Sequence, residues 1–242
     1  MVDMSFPMIL LLAATDAVIF GPGGHFQFEQ SNDSFGIRSH GIIEQLGSNQ
    51  TKFYPLPQST AEEYFRLRPE DLLRNPFRPE QYDRQEVIGP YQIENARAWF
   101  GKQYYDSEGE RGVGAFGYFD TSNRIYELFS PPEVARYEIS AILVQPDCVW
   151  LGLDRFVEDI SKVPGGLVRW DRMTQAVQRY PLEFEVDEIR ALGDSLRLET
   201  RGGYALFRGG ALRRFLADGT PIAKFPPPPN KQLTAIERGA DL

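Results

Sequence analysis

Several residue types that commonly build functional sites are scarce in this chain. Its 242 residues include one cysteine, Cys148, and two histidines, His25 and His40. A lone cysteine cannot form an intrachain disulfide, so stability has to come from packing. A zinc site needs three or four Cys, His or carboxylate ligands, which this chain does not group in a recognisable spacing. The sequence therefore predicts no metal site and no cofactor.

Positive charge is also in deficit. Lys and Arg number 26 against 34 Asp and Glu, which gives a formal net charge of −8. Nucleic-acid binding relies on a basic surface that neutralises phosphates. We therefore expect a protein or small ligand as partner, and no nucleic acid.

Long hydrophobic runs are missing as well. The apolar run 8–14 has only seven residues, far short of the ~20 that a membrane-spanning helix needs. It resembles the core of a signal peptide, but no Lys or Arg precedes it and Asp3 does. We interpret 8–14 as the first strand of a repeat, which favours a cytoplasmic location. A secretory signal peptide is the alternative.

No catalytic signature occurs in the chain. There is no Gly-x-Ser-x-Gly motif, and the glycine-rich stretch 21–24 has no following Lys-Ser/Thr. Residues 106–110 alternate oxygen-bearing side chains but lack the remaining positions of a calcium loop. The sequence thus assigns no catalytic residue.

A degenerate repeat dominates what is present. In its clearest copy, 149–152 is followed by 165–171 and then 177–180, each rich in β-branched and aromatic residues. The pattern predicts strands over 138–144, 148–153, 166–171 and 176–181. Related copies cover 8–56, with 18–21 as the second strand and 22–40 as a long loop, then 86–129 and 188–216. These repeats predict an all-β fold, a small β-propeller of about four four-stranded antiparallel meanders.

The pattern is clearest in Val149-Trp150-Leu151-Gly152 with 165–171, and it recurs more weakly in 196–204. The pattern resembles the two-component regulator propeller repeats of sensor ectodomains in bacterial hybrid histidine kinases. The resemblance implies blade packing and does not specify a ligand.

Two segments lie outside the repeats of the propeller domain, 1–225. The insertion 59–84 opens on Ser59-Thr60-Ala61-Glu62, a capping-box pattern that predicts a short helix ending before Pro69. Residues 226–242 begin with four prolines and predict a proline-rich tail. We expect 221–225 to cross the seam between the first and last repeats.

The longest connections predict where binding occurs. Those between second and third strands (22–40, 102–113 and 153–165) and the insertion 59–84 should emerge on one face of a propeller. Tyr and Arg are frequent in binding hot spots. The candidate binding residues are His25, Glu29, Arg66, Arg68, Tyr104, Tyr105, Asp106, Arg111, Asp154 and Arg155.

These observations favour a non-catalytic binding module. One alternative is a carbohydrate-active or other hydrolytic enzyme that uses loop carboxylates. The other is a propeller fragment completed by a partner chain, including a second copy of this one.

Overall fold

A computed structural model describes residues 18–21, 24–33, 36–70, 85–105, 112–155 and 165–226. These residues form an all-β structure with four antiparallel sheets, one small hairpin and one short α-helix. Within these ranges, no helix has the length and apolar character needed to cross a membrane. The run 8–14 and the tail from 227 onwards lie outside the described residues, so the expected location stays a prediction.

Each sheet is an antiparallel meander whose strands follow the chain order. The first sheet contains β1 (Val18–Gly21), β2 (Gly24–Phe28), β5 (Gly41–Gln45) and β6 (Thr51–Pro55), and the hairpin β3 (Ser31–Asp33) and β4 (Gly36–Arg38) lies between β2 and β5. The second contains β7 (Gln85–Glu94), β8 (Arg97–Tyr105), β9 (Phe116–Asp120) and β10 (Ile125–Phe129).

The third and fourth sheets repeat this arrangement. The third contains β11 (Glu138–Val144), β12 (Cys148–Asp154), β13 (Gly166–Asp171) and β14 (Val177–Tyr180). The fourth contains β15 (Glu188–Leu192), β16 (Ser195–Thr200), β17 (Gly203–Arg208), β18 (Ala211–Phe215) and β19 (Pro221–Ile222). The helix α1 (Ala61–Leu67) joins the first two sheets.

The strand assignment in the first repeat was wrong. Residues 18–21 pair with 24–28, which in turn pair with 41–45, so 24–28 is a strand and not part of a long loop. Gly21 pairs with Gly24 with only two residues between them. The glycine-rich sequence therefore closes a hairpin, a use of glycine that tight turns favour.

Two glycines explain why the third strand begins with glycine in the third and fourth sheets. Gly166 has a φ of +90°, and a Cβ there would lie 2.5 Å from the Tyr180 carbonyl oxygen. Gly203 has a φ of +143°, and its Cβ would lie 2.1 Å from the Phe215 oxygen. Only glycine accepts both the backbone conformation and the close approach of the fourth strand. The Gly-Gly pairs of the sequence therefore set the β13–β14 and β17–β18 pairings.

Apolar side chains fill the spaces between successive sheets. Phe26, Ile42, Phe100 and Phe119 pack between the first and second sheets. Between the second and third lie Trp99, Phe116, Ile139, Leu151 and Trp170, among others. Between the third and fourth lie Leu143, Cys148, Trp150, Leu198 and Phe207, among others. Cys148 is thus a buried packing residue.

The four sheets formed by the described residues do not close into a ring. In the described part of the chain, no buried cluster joins the first sheet to the fourth. Residues 221–225 do not cross a seam: Ile222 pairs with Arg214 of β18, and Phe225 packs against Phe184, with ring centroids 4.9 Å apart. These residues extend the fourth sheet because β18 offers an unpaired edge.

Candidate functional site

One side of the molecule gathers the longest connections. In the second sheet, Gln85, Tyr105, Phe116 and Phe129 lie at the same end, because neighbouring strands run antiparallel. Glu138 and Asp154 occupy the matching end of the third sheet. We call the surface formed by 57–70, 102–105, 112–115, 130–138, 154–155 and 181–187 the connection face.

The helix α1 is fixed to this face by its own sequence. Thr60 is the N-cap: its hydroxyl accepts a hydrogen bond from the Glu63 backbone N–H, while the Glu63 carboxylate accepts one from the Thr60 N–H. The capping box thus begins one residue later than the sequence suggested. Tyr64 and Phe65 are buried and pack with Val113. The helix therefore forms a wall over the second sheet.

Arg68, just after α1, connects its own segment to the segments that contain Gly112 and Arg136. Its side chain is fully buried, and its guanidinium donates hydrogen bonds to the Gly112 oxygen at 2.8 Å and the Arg136 oxygen at 3.3 Å. The guanidinium carbon also lies 5.1 Å from the centre of the Tyr64 ring. Arg68 thus links the connections of this face from a buried position, and its expected part in binding stays a prediction.

A buried ion pair lies next to the helix. The Lys102 ammonium is 2.6 Å from Glu86 Oε2 and donates a second hydrogen bond to the Pro57 oxygen at 2.5 Å. Glu86 Oε2 also accepts from the Ser59 backbone N–H at 2.8 Å. Side-chain exposure is 4% for Lys102 and 1% for Glu86. The pair links the start of the insertion to the second sheet.

A cavity of about 240 Å³ opens beside this pair. Its apolar wall comes from α1, β10 and the connections around the second sheet: Leu67, Val113, Ala115, Leu128 and Ala135. Its polar residues are Gln58, Ser59, Glu63, Arg66, Lys102 and Ser130. The cavity thus combines an apolar wall with polar groups that can orient a small ligand.

Three carboxyl groups cluster at the neighbouring end of the third sheet. Burial, with help from the charge of Asp154, raises the pKa of Glu138 to about 7. Burial and the charge of Glu185 raise the pKa of Asp154 to about 7. Arg155 lies 4.0 Å from Glu185. Among the residues that the structure describes, no group of three His, Cys, Asp or Glu is arranged to hold a metal ion.

This carboxyl cluster predicts that stability falls as pH rises. Because burial favours the neutral acids, their contribution is complete below their ordinary pKa values, 4.5 for Glu138 and 3.8 for Asp154, and is lost as pH passes about 7. We expect the free energy of unfolding to drop by about 2 kcal/mol over this window, a value reduced for partial solvent screening. Urea unfolding at a series of pH values measures it. Glu138→Gln should flatten the profile, and an equally steep profile in that variant would contradict the assignment.

The structure brings together only some of the predicted binding residues. Arg66 lines the cavity, and Asp154 and Arg155 lie in the carboxyl cluster. Tyr104 and Tyr105 belong to strand β8 and not to a loop, because β8 continues to pair with β7 as far as Tyr105. Asp106 and Arg111 lie outside the described residues.

The first-sheet candidates lie away from the cavity. His25 is an exposed residue of strand β2 and not of a loop, because 24–28 pair with both neighbouring strands. Glu29 accepts a hydrogen bond from the His40 backbone N–H at 3.0 Å. Neither residue lines the cavity.

Lys102, Glu86 and Glu138 were not identified from the sequence. Lys102 and Glu86 are 16 positions apart and meet only because β7 and β8 pair side by side. Glu138 begins a strand, where an acidic residue usually faces solvent. Only a correct strand register could have shown that Lys102 and Glu86 are buried together and that Glu138 lies near Asp154.

A second cavity, of about 470 Å³, lies at the opposite ends of the second and third sheets. Its two arginines have acidic partners: Arg172 donates to both Glu94 carboxylate oxygens at 2.8 Å, and Arg97 lies 3.7 Å from Asp120. Both arginines of this cavity therefore have an acidic partner, whereas Arg66 at the cavity beside Lys102 has none among the described residues.

Comparison with known proteins gives little further guidance. No protein-family model matches the chain, and no curated protein does so. Among solved structures, it is similar to the extracellular domain of a protein described as a one-component system of B. thetaiotaomicron, with 13% identity and a TM-score of 0.43. The alignment covers 77% of this chain and 22% of that chain, so the chain spans less than a quarter of its neighbour. At this TM-score the similarity defines neither fold nor function.

Proposed function

We propose that this chain is a non-catalytic binding module of the propeller type, which presents its connection face to a small ligand. The observation that carries the proposal is the cavity beside the buried Lys102–Glu86 pair, enclosed by α1 and the connections of the second sheet. Loops held on a rigid sheet scaffold are where binding residues concentrate. A protein partner is the broader form of the same proposal.

The order of the sheets supports a propeller-type architecture. Four meanders follow one another along the chain, and each successive pair shares a buried apolar core. This is how neighbouring blades pack in a propeller. The described sheets form an open array. A propeller fragment that a partner chain completes would have the same arrangement, so this alternative agrees with the proposal.

The carboxylates of the connection face favour binding over hydrolysis. The charge of Glu185 raises the pKa of Asp154, and Arg155 lies 4.0 Å from Glu185, so both carboxyl groups interact within the protein. Glu63 is held by Thr60, and Glu86 by Lys102 and Ser59. These described carboxylates are engaged by neighbouring groups of the protein, which favours binding over hydrolysis.

A ligand-observed NMR screen of a small-molecule library tests the proposed function. Ser130 is exposed and lines the cavity, so Ser130→Phe should obstruct the opening and abolish binding of the hits. Ser122→Phe, in an exposed turn at the other end of the same sheet, is the matched control and should leave binding unchanged. Binding that survives Ser130→Phe, or turnover of chromogenic glycoside or ester substrates, would overturn the proposal.

A further inference from the structure

The Lys102 ammonium has one more donor than its protein partners use. An ammonium group carries three N–H donors, and Lys102 directs two of them to Glu86 Oε2 and the Pro57 oxygen. In the described structure, the third has no protein acceptor. Since Lys102 also lines the cavity, a ligand oxygen there can complete its hydrogen bonding.

The ion pair is also poorly explained as a purely structural feature. Glu86 Oε1 is buried and has no hydrogen-bond partner among the described residues. A buried ion pair often stabilises a protein less than apolar residues of the same volume would, and an unsatisfied buried oxygen adds a further cost. A buried lysine kept beside a cavity at this cost is consistent with a role in recognition.

The rim of the cavity adds a second cation. Arg66 lines the cavity, is exposed, and forms no ion pair with any described residue. The acidic group at the rim, Glu63, is occupied, because its Oε2 accepts hydrogen bonds from the Thr60 N–H at 2.7 Å and hydroxyl at 3.1 Å. The available donors of the cavity therefore belong to positively charged groups and suit an anionic acceptor.

The remaining wall is apolar and the space is small. Leu67, Val113, Ala115, Leu128 and Ala135 line it, and its volume of about 240 Å³ is less than the ~300–1,000 Å³ of pockets for drug-sized ligands. A ligand that matches both the cationic groups and the apolar wall of the cavity has a single anionic head and a compact apolar body.

We propose that this cavity binds small monocarboxylates with an apolar body, with the carboxylate oriented by Lys102 and Arg66 and the body against the apolar wall. This inference rests on the proposed binding function and names the class of its ligand. Carboxylate–cation hydrogen bonds orient the head, while burial of the apolar body supplies most of the affinity.

Isothermal titration calorimetry of the full chain with phenylacetate and hexanoate tests the proposal, with phenylacetamide and hexanamide as uncharged isosteres. We expect saturable binding of the acids that is about tenfold tighter than that of the amides, because the amides lose the charge interaction. Arg66→Gln should weaken acid binding about fivefold. Arg213→Gln, the same charge change at an exposed position on the fourth sheet, should leave it unchanged.

The outcomes separate this inference from the proposed function. Equal binding of acids and amides, or acid binding that Arg66→Gln and Ser130→Phe leave intact, overturns the carboxylate site. If neither acid binds while library hits of another charge are lost in Ser130→Phe, the carboxylate inference is wrong and the binding module stands. If nothing binds at the cavity, both fail. Circular dichroism confirms that each variant is folded.

Discussion

Replacing Lys102 by methionine is expected to lower the free energy of unfolding by about 3–5 kcal/mol. The change leaves the Glu86 carboxylate buried with 1% of its side chain exposed and without its cation. It also removes the hydrogen bond to the Pro57 oxygen. Urea unfolding followed by circular dichroism measures the loss.

The double variant Lys102→Met, Glu86→Leu provides the control. Without either charge, the site can pack as an apolar cluster, so most of the lost stability should return. A loss below about 1 kcal/mol in Lys102→Met would mean that Glu86 is protonated or reaches water when Lys102 is absent.

Replacing Trp99 by alanine should lower the free energy of unfolding by about 3–5 kcal/mol. Trp99 is 1% exposed and lies between the second and third sheets, with its ring centroid 4.6 Å from that of Tyr118. Its Nε1–H donates to Glu94 Oε2 at 3.2 Å, and the Arg172 guanidinium carbon lies 5.1 Å from its ring centroid. The variant thus opens a cavity and loosens contacts from both sheets.

Thermal unfolding measures the effect of Trp99→Ala. Met173→Ala is a suitable control, since Met173 is 88% exposed in the turn before β14 and its truncation should leave the melting temperature unchanged. Equal melting temperatures for the two variants would show that the contact between the second and third sheets does not support the fold.

The third sheet shows how far sequence reasoning reaches. Strands β11 and β13 match the predicted ranges 138–144 and 166–171, because Pro146-Asp147 and Gly165-Gly166 mark where short apolar segments end or begin. In the first sheet, the glycines at 21–24 were interpreted as the start of a loop, and β2 was missed. A glycine-rich stretch alone does not distinguish a hairpin turn from a long loop.

The candidate site was predictable only in outline. The long connections predicted that Arg66 and Asp154 lie on the same face, and both residues lie on the connection face. The burial of Arg68 was not predictable, because its acceptors Gly112 and Arg136 are 44 and 68 residues away. The Lys102–Glu86 pair depends in the same way on tertiary packing, which local residue patterns do not encode.

The absence of a core joining the first and last described sheets has a consequence for how the molecule opens. Each end sheet is buried against one neighbour, whereas the two middle sheets are buried on both sides. In such a linear array, stability is close to a sum of local units and nearest-neighbour contacts. The end sheets can therefore detach one at a time, at a lower free energy than global unfolding. The cavity beside Lys102 is formed mainly by the second sheet and its connections. It should therefore stay intact when the fourth sheet detaches.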